Sequence, residues 1–386
     1  MVCIAAFIIL GLIALFIPVI RIFNKKMADN IWKLFKKSMH CFSRRVTLRK
    51  CDSNFKDDIK NSILKRTVLK HPNWTKPISF AIEVLSVLIV ILALWSTLVA
   101  VRSLTLLTAY GTCEPSDPKS CVLSSGSAVK ACTIGETGPE FFKDPIGWTG
   151  NWFGQWGAAI TQIPSNMKNW DAKEYLPNSS NLSDAKNAFY AGKYDSNKPV
   201  ALDVFEPGCT YCRLEFNNQL ASDFFAKNNV AIIPYVKAGD KNGYEFENSY
   251  VLASYIEAVR ENPLSESELS AKNEKMPAVW LLISRLMLEN DPQTNHPWQD
   301  TFGSLDSNTY GSFGRLFTQD QAREELNKWL ADFGYNTDKV KEIADLAKSD
   351  KIKKVIDANI KLVDEKIQAV SLPTVIANGQ RKSGLQ

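Results

Sequence analysis

Two stretches near the N-terminus show no polar alternation at all. Residues 2–20 carry no charge, and residues 78–101 are apolar or small-polar, with Glu83 near one end and Arg102 just past the other. At ~1.5 Å per helical residue, each covers most or all of a ~30 Å hydrocarbon core. They predict two transmembrane helices, 2–20 and 78–101. Further along, residues 199–205 (PVALDVF) read as a buried strand. Residues 213–227 have helical spacing, with Leu214, Leu220, Phe224 and Phe225 apolar, and residues 230–236 (VAIIPYV) read as a second strand. Strand, helix and strand within about forty residues form a βαβ unit. Residues 245–369 then read as helical. They include a short apolar run at 276–288 and a capping-box pair, Thr318 and Gln321, before a helix ending near Gly334. Ile352, Val355, Ile356, Ile360, Val363 and Ile367 recur at helical intervals. The strand TVIAN and the turn Asn378-Gly379 predict a closing hairpin.

Charge gives the first stretches an orientation. The net charge of +5 conceals a basic segment between Arg21 and Pro77, with sixteen Lys and Arg against four Asp and Glu. A loop this short obeys the positive-inside rule. Loop 21–77 is therefore expected in the cytoplasm, with the N-terminus outside and everything after about Leu106 extracytoplasmic. A cleaved signal peptide fits poorly, because basic residues follow the first apolar stretch instead of preceding it. The basic charges are scattered and carry no nucleic-acid motif, so the lipid bilayer is the expected partner and nucleic acid is not. Trp32, Phe35, Met39 and Phe42 predict an apolar stripe on a loop helix, suited to the inner membrane surface or to packing within the loop.

This reading divides the chain into a membrane hairpin with its loop (1–107), an extracytoplasmic spacer (108–196) and an α/β domain (197–386) with a helical insertion at about 245–369. The spacer is rich in Gly, Pro, Ser and Asn. Trp148, Trp152, Phe153, Trp156 and Trp170 crowd one part of it, as an interfacial belt, a partner surface or packing for the next domain.

The sharpest chemical signal is Cys209-Thr210-Tyr211-Cys212, at the strand-to-helix junction of the βαβ unit. A cysteine at a helix N-terminus meets free N–H groups and the positive end of the dipole, which favour its thiolate. A second cysteine one turn on is placed to attack a mixed disulfide. Zinc wants a second pair of Cys or His. Only His296 lies outside the membrane and loop segments, so no metal site is expected, and the chemistry requires no organic cofactor.

The stretch ALDVFEPGCTYC, a long helical segment and then SLPTVIANG together resemble the thioredoxin-fold superfamily, and most of all its DsbA-like branch. The resemblance covers roughly residues 197–386. It implies an α/β, thioredoxin-like fold with a long helical insertion, here attached to a two-helix membrane anchor. It implies that Cys209 and Cys212 are the redox pair, tuned by Thr210 and Tyr211. It also implies that Pro373 is the cis-proline facing that pair, with Leu372 and Thr374 beside it holding the substrate chain. Proline reaches cis readily, and its missing N–H leaves a neighbouring backbone group free for an extended peptide. Asp203 falls where the superfamily often has a buried acid able to relay a proton from Cys212. Two departures stand out: the insertion is long, and the sequence ends after the hairpin where a closing helix usually follows. Either the sequence is truncated there, or another segment covers that face, with the spacer as the candidate.

The function expected is that of a protein thiol–disulfide oxidoreductase. As an oxidase it would hold Cys209–Cys212 closed, act on exported cysteine-containing proteins and be reset by a membrane redox partner. As a reductase or isomerase, Cys209 would attack first. A tethered binding module with a static Cys209–Cys212 bridge, and a carrier dedicated to one membrane partner, are the alternatives. Cys113 and Cys121 are the first candidates for a structural disulfide, which leaves Cys132 without a role.

Overall fold

The computed structural model describes residues 25–46, 75–114, 132–133, 141–239, 243–303 and 316–384. The predicted span 2–20, most of loop 21–77, and Cys121 lie outside the described residues. The chain divides into two compact units, Met1–Arg102 and Ser103–Gln386.

The first unit contains α1, Lys25–Val46, and most of α2, Thr75–Tyr110. On α1, Trp32 and Met39 are exposed, and Lys36 lies over the Trp32 ring, 5.6 Å from its centroid. Among the described residues one helix is long and apolar enough to cross a membrane, over Val87–Tyr110. Its apolar segment ends nine residues beyond the predicted limit at Val101. On this helix Leu88, Ile91, Leu92, Leu94 and Trp95 are exposed. An apolar surface of this extent marks contact with lipid or a partner.

The second unit begins with the last turns of α2. Leu106 and Ala109 pack on Ala159 of α3, Pro145–Asn166, and Asn166 Nδ2 donates to the Ala109 carbonyl at 2.7 Å. Between them lies the short strand β1, Cys132–Thr133. Along α3, Trp148, Trp152 and Trp156 stand at four-residue intervals and form an aromatic ladder with Phe141 and Phe153. The part of the predicted spacer after residue 141 is thus structured. Trp170, Tyr175 and Phe189 belong to the same core as the sheet.

The α/β core follows the predicted order. β2, Val200–Phe205, is buried throughout and leads into α4, Thr210–Ala221. The predicted single helix 213–227 is instead broken. Asp223 takes a left-handed conformation and caps a separate turn, α5, Phe224–Lys227. β3, Asn229–Pro234, runs parallel to β2. The insertion comprises α6, Ser249–Glu261; α7, Glu266–Ala271; α8, Ala278–Leu288; α9, Trp298–Phe302; α10, Gln319–Phe333; α11, Thr337–Ala347; and α12, Asp350–Lys361. The Thr318–Gln321 capping box forms as expected, and Gly334 ends α10 in the left-handed region. The predicted last helix forms through Ile367, its final turn, Leu362–Ile367, being π-helical.

The chain then makes β4, Ser371–Leu372; β5, Thr374–Ala377; and β6, Gln380–Ser383. Asn378 and Gly379 both have positive φ, which produces the expected tight hairpin. The main sheet has the order β3-β2-β5-β6, while β4 pairs with β1 in a separate two-stranded ladder. A parallel pair extended by an antiparallel hairpin, with the helical insertion between β3 and β5, is a thioredoxin-like α/β arrangement. Trp170 bridges to Gly379 at the hairpin tip, so the segment before β2 covers part of the sheet.

Candidate active site

The site is assembled at the C-terminal end of β2. Phe205 ends the strand, and Glu206-Pro207-Gly208 turn the chain onto the start of α4. The turn is tight: a Cβ on Gly208 would lie 2.5 Å from the Phe246 Cβ, so only glycine fits there. Cys209 is the N-cap of α4, and its carbonyl accepts from the N–H groups of Cys212 (3.0 Å) and Arg213 (3.2 Å). Gln299 of α9 braces the turn, its Nε2 donating to the Pro207 carbonyl at 2.7 Å and the Cys209 carbonyl at 3.4 Å. Thr210 and Tyr211 are half-buried on the first turn of α4, and Tyr211 packs against the core.

The two cysteines are in different states. Cys212 is a buried free thiol, whereas Cys209 is disulfide-bonded. The expected closed Cys209–Cys212 bridge, whether redox-active or static, is therefore absent. Cys209 is also fully covered, at 0% exposure, although an exchanging cysteine must be reached by its partner. The Glu206 backbone N–H donates to Cys212 Sγ at 3.4 Å. Burial pushes the Cys212 thiol up, the Glu206 N–H opposes this, and the charges of Asp203, Glu206 and Glu215 add to the rise.

Two buried carboxyls flank the thiol. Asp203 on β2 accepts from Gln219 Nε2 at 3.1 Å through Oδ2, while its Oδ1 has no hydrogen-bond partner. Burial and then the charge of Glu215 raise its pKa to about 7. Glu206 accepts from the N–H groups of Gly208 (3.2 Å) and Lys237 (2.6 Å) and from the Ser249 hydroxyl. Burial outweighs these bonds and raises its pKa to about 7 as well. A cleft of about 310 Å³ lined by Glu215, Gln219, Val375 and Lys382 opens beside the Asp203 partner.

The remaining expected residues lie across the sheet end. Thr374 on β5 is opposite Val204, which brings Pro373 beside the end of β2. The Leu372–Pro373 bond is cis. Leu372 and Thr374 are buried, and the Thr374 hydroxyl donates to the Ser371 carbonyl at 2.6 Å. Cys113 is disulfide-bonded, and Cys121, its expected partner, lies outside the described residues. Sequence reasoning missed Glu206, Glu215 and Gln299. Glu206 had a signal, an acid directly after a fully apolar strand and three residues before Cys209. Gln299 had none, since it lies ninety residues away.

No family model and no curated protein matches the chain. It is similar in structure to ScsC of Proteus mirabilis in a transitional conformation, with 13% identity and a TM-score of 0.30, over 64% of this chain and 88% of the other. It is also similar to a thioredoxin-like oxidoreductase from Silicibacter pomeroyi DSS-3, with 12% identity and a TM-score of 0.28, over 50% and 86%.

Proposed function

We propose that the chain is a membrane-anchored, extracytoplasmic thiol–disulfide oxidoreductase of the DsbA-like kind. It works through Cys209 and Cys212 on exported cysteine-containing proteins and is reset by a redox partner in the same membrane. The observation that carries this reading is a buried, free Cys212 thiol in the first turn of a twelve-residue helix, with the carboxyls of Asp203 and Glu206 beside it.

The chemistry follows from these groups. A substrate thiolate attacking a closed Cys209–Cys212 bond forms a mixed disulfide on Cys209 and releases Cys212, which takes up a proton. A second substrate thiolate then displaces Cys209 and leaves with a new disulfide, and the enzyme leaves with two thiols. In the reductive direction Cys209 attacks first, and Cys212 resolves the mixed disulfide. Resolution needs the Cys212 proton removed, and burial makes that costly. Asp203, with an unused Oδ1 and a pKa near neutrality, is the acceptor suited to the task. The helix N-terminus at Cys209 stabilises that sulfur as the leaving group. Leu372, Pro373 and Thr374 form the wall on which a substrate chain would lie. The apolar surface of α2 supports the anchor.

A specific observation favours a second reading. The complete burial of Cys209 suits a tethered binding module whose cysteine no longer exchanges. Equilibrating the full-length chain in detergent with glutathione separates the two. A Cys209–Cys212 pair with a potential near ~−120 mV is a disulfide donor, and one near ~−270 mV is a reductase. A chain that never exchanges is the binding module.

A further inference from the structure

We propose that α3 is an interfacial membrane helix. It lies along a bilayer surface with one apolar face among the acyl chains and holds the α/β domain against that surface. The inference rests on the membrane-anchored reading above and adds a second lipid contact, made by the unit that carries the active site.

The surface of α3 gives the first support. Over Pro145–Asn166 it carries no charged residue, while Lys143 and Asp144 stand before it and Lys168 follows it. Ile146, Phe153 and Ile160 recur every seven residues, so they share one line along the helix, and all three are exposed. Phe142 and Met167 continue this apolar surface past the two ends, at 95% and 83% exposure. A Cβ added at Gly150, Gly154 or Gly157 would meet nothing within 4 Å, so this side of the helix is open. The other side is fastened to the domain. Trp152, Ala159 and Gln162 are buried, and Gln162 Nε2 donates to the Gln368 carbonyl at 2.7 Å. An apolar surface that runs the length of a helix marks a contact site.

The last turns of α2 point to lipid as the occupant. Residues 103–110 belong to the same compact unit as α3 and end the apolar segment Val87–Tyr110. Leu106 and Ala109 pack on Ala159, and Asn166 donates to the Ala109 carbonyl. At ~1.5 Å per helical residue, these contacts lie within about 6 Å of the end of that segment. An interfacial helix seats its apolar face ~5–10 Å into the boundary between headgroups and acyl chains, which is the same level. Among the described residues only Val87–Tyr110 is long and apolar enough to cross, so α3 lies along the surface and does not span it. The amphipathic rings of Trp148, Trp152 and Trp156 belong at this level, and the charges at the two ends reach the headgroups. With no Lys or Arg on the open face, apolar burial drives the contact, and anionic lipid is not required.

The test places the photo-crosslinking residue benzoylphenylalanine, one site at a time, at Phe153, Ile160, Leu92 or Tyr244 of the whole chain in phosphatidylcholine nanodiscs. All four side chains are exposed, so the replacements leave the core intact. Leu92 reports on α2, and Tyr244 on a surface of the α/β domain away from α3. Intact mass after irradiation reads the adduct. Lipid adducts are expected at Phe153, Ile160 and Leu92 and not at Tyr244, and the F153E substitution is expected to cut the Ile160 adduct several-fold. Lipid adducts at Leu92 alone overturn the proposal and leave the anchor reading standing. Adducts joining two copies of the chain through Phe153 overturn it in favour of a protein interface, and a Tyr244 adduct equal to that at Phe153 overturns it as indiscriminate contact. Lipid adducts at Phe153 and Ile160 without one at Leu92 support α3 on the lipid and remove α2 as the anchor. No lipid adduct at any site defeats both readings.

Discussion

At the scale of single residues, the proposed chemistry rests on Cys212 and the buried carboxyls of Asp203 and Glu206. A C212S variant should accumulate mixed disulfides between Cys209 and exported proteins, seen as thiol-sensitive bands on non-reducing gels, because resolution is blocked. Asp203 gives a prediction in pH. Its folded pKa, near 7, lies above the ~3.9 of an unfolded aspartate, so the native state binds more protons between those values. Its contribution is most favourable below pH ~4, falls as pH rises toward 7, and remains a constant penalty above that. D203N should therefore be more stable than the wild type at pH 8, by ~2–4 kcal/mol, and close to it at pH 4. Urea unfolding midpoints at the two pH values check this. The same variant should slow release of mixed disulfides. Asp203 was legible in the sequence because its place relative to Cys209 is fixed by one strand and one turn. The state of the cysteines was not, since no local pattern announces that Cys209 is bonded while Cys212 stays a thiol.

At the scale of elements, the local signals did well where they were local. β2, β3, the capping box at Thr318 and the Asn378-Gly379 turn all formed, because each depends on residues within a few positions. The helix after Cys212 was misread as continuous. Asp223 breaks it in the left-handed region, and the apolar pair Phe224–Phe225 is carried on its own turn. The aromatic stacking of Phe225 on Tyr190 at 4.3 Å shows what the break achieves. The turn between β2 and α4 is the most constrained element of the site. G208A should destabilise the fold by ~1–3 kcal/mol, since the added Cβ meets Phe246 at its own Cβ rather than at a movable tip. Thermal unfolding of the variant measures this. Q299A should release the same turn from the insertion by removing the bonds to the Pro207 and Cys209 carbonyls, at about 1 kcal/mol or more.

At the scale of the whole molecule, the long apolar face of α2 and the basic segment before it bear on location. The full chain is expected to stay with membranes through an alkaline carbonate wash. A reporter fused after Lys193 should be active only on the extracytoplasmic side, and activity in the cytoplasm would sink the oxidase reading. The sequence by itself determined the βαβ unit, the CxxC at its junction, the closing hairpin and an apolar segment fit for a bilayer. All of these rest on periodicity and turn chemistry that neighbouring residues share. Only the tertiary structure decided three things. The predicted spacer became part of the core, Glu206 and Gln299 became parts of the site, and Cys209 was paired away from Cys212. For the spacer, Glu206 and Gln299 the deciding contact joins segments dozens of residues apart. Burial and backbone pairing, which sequence patterns do not encode, select those contacts.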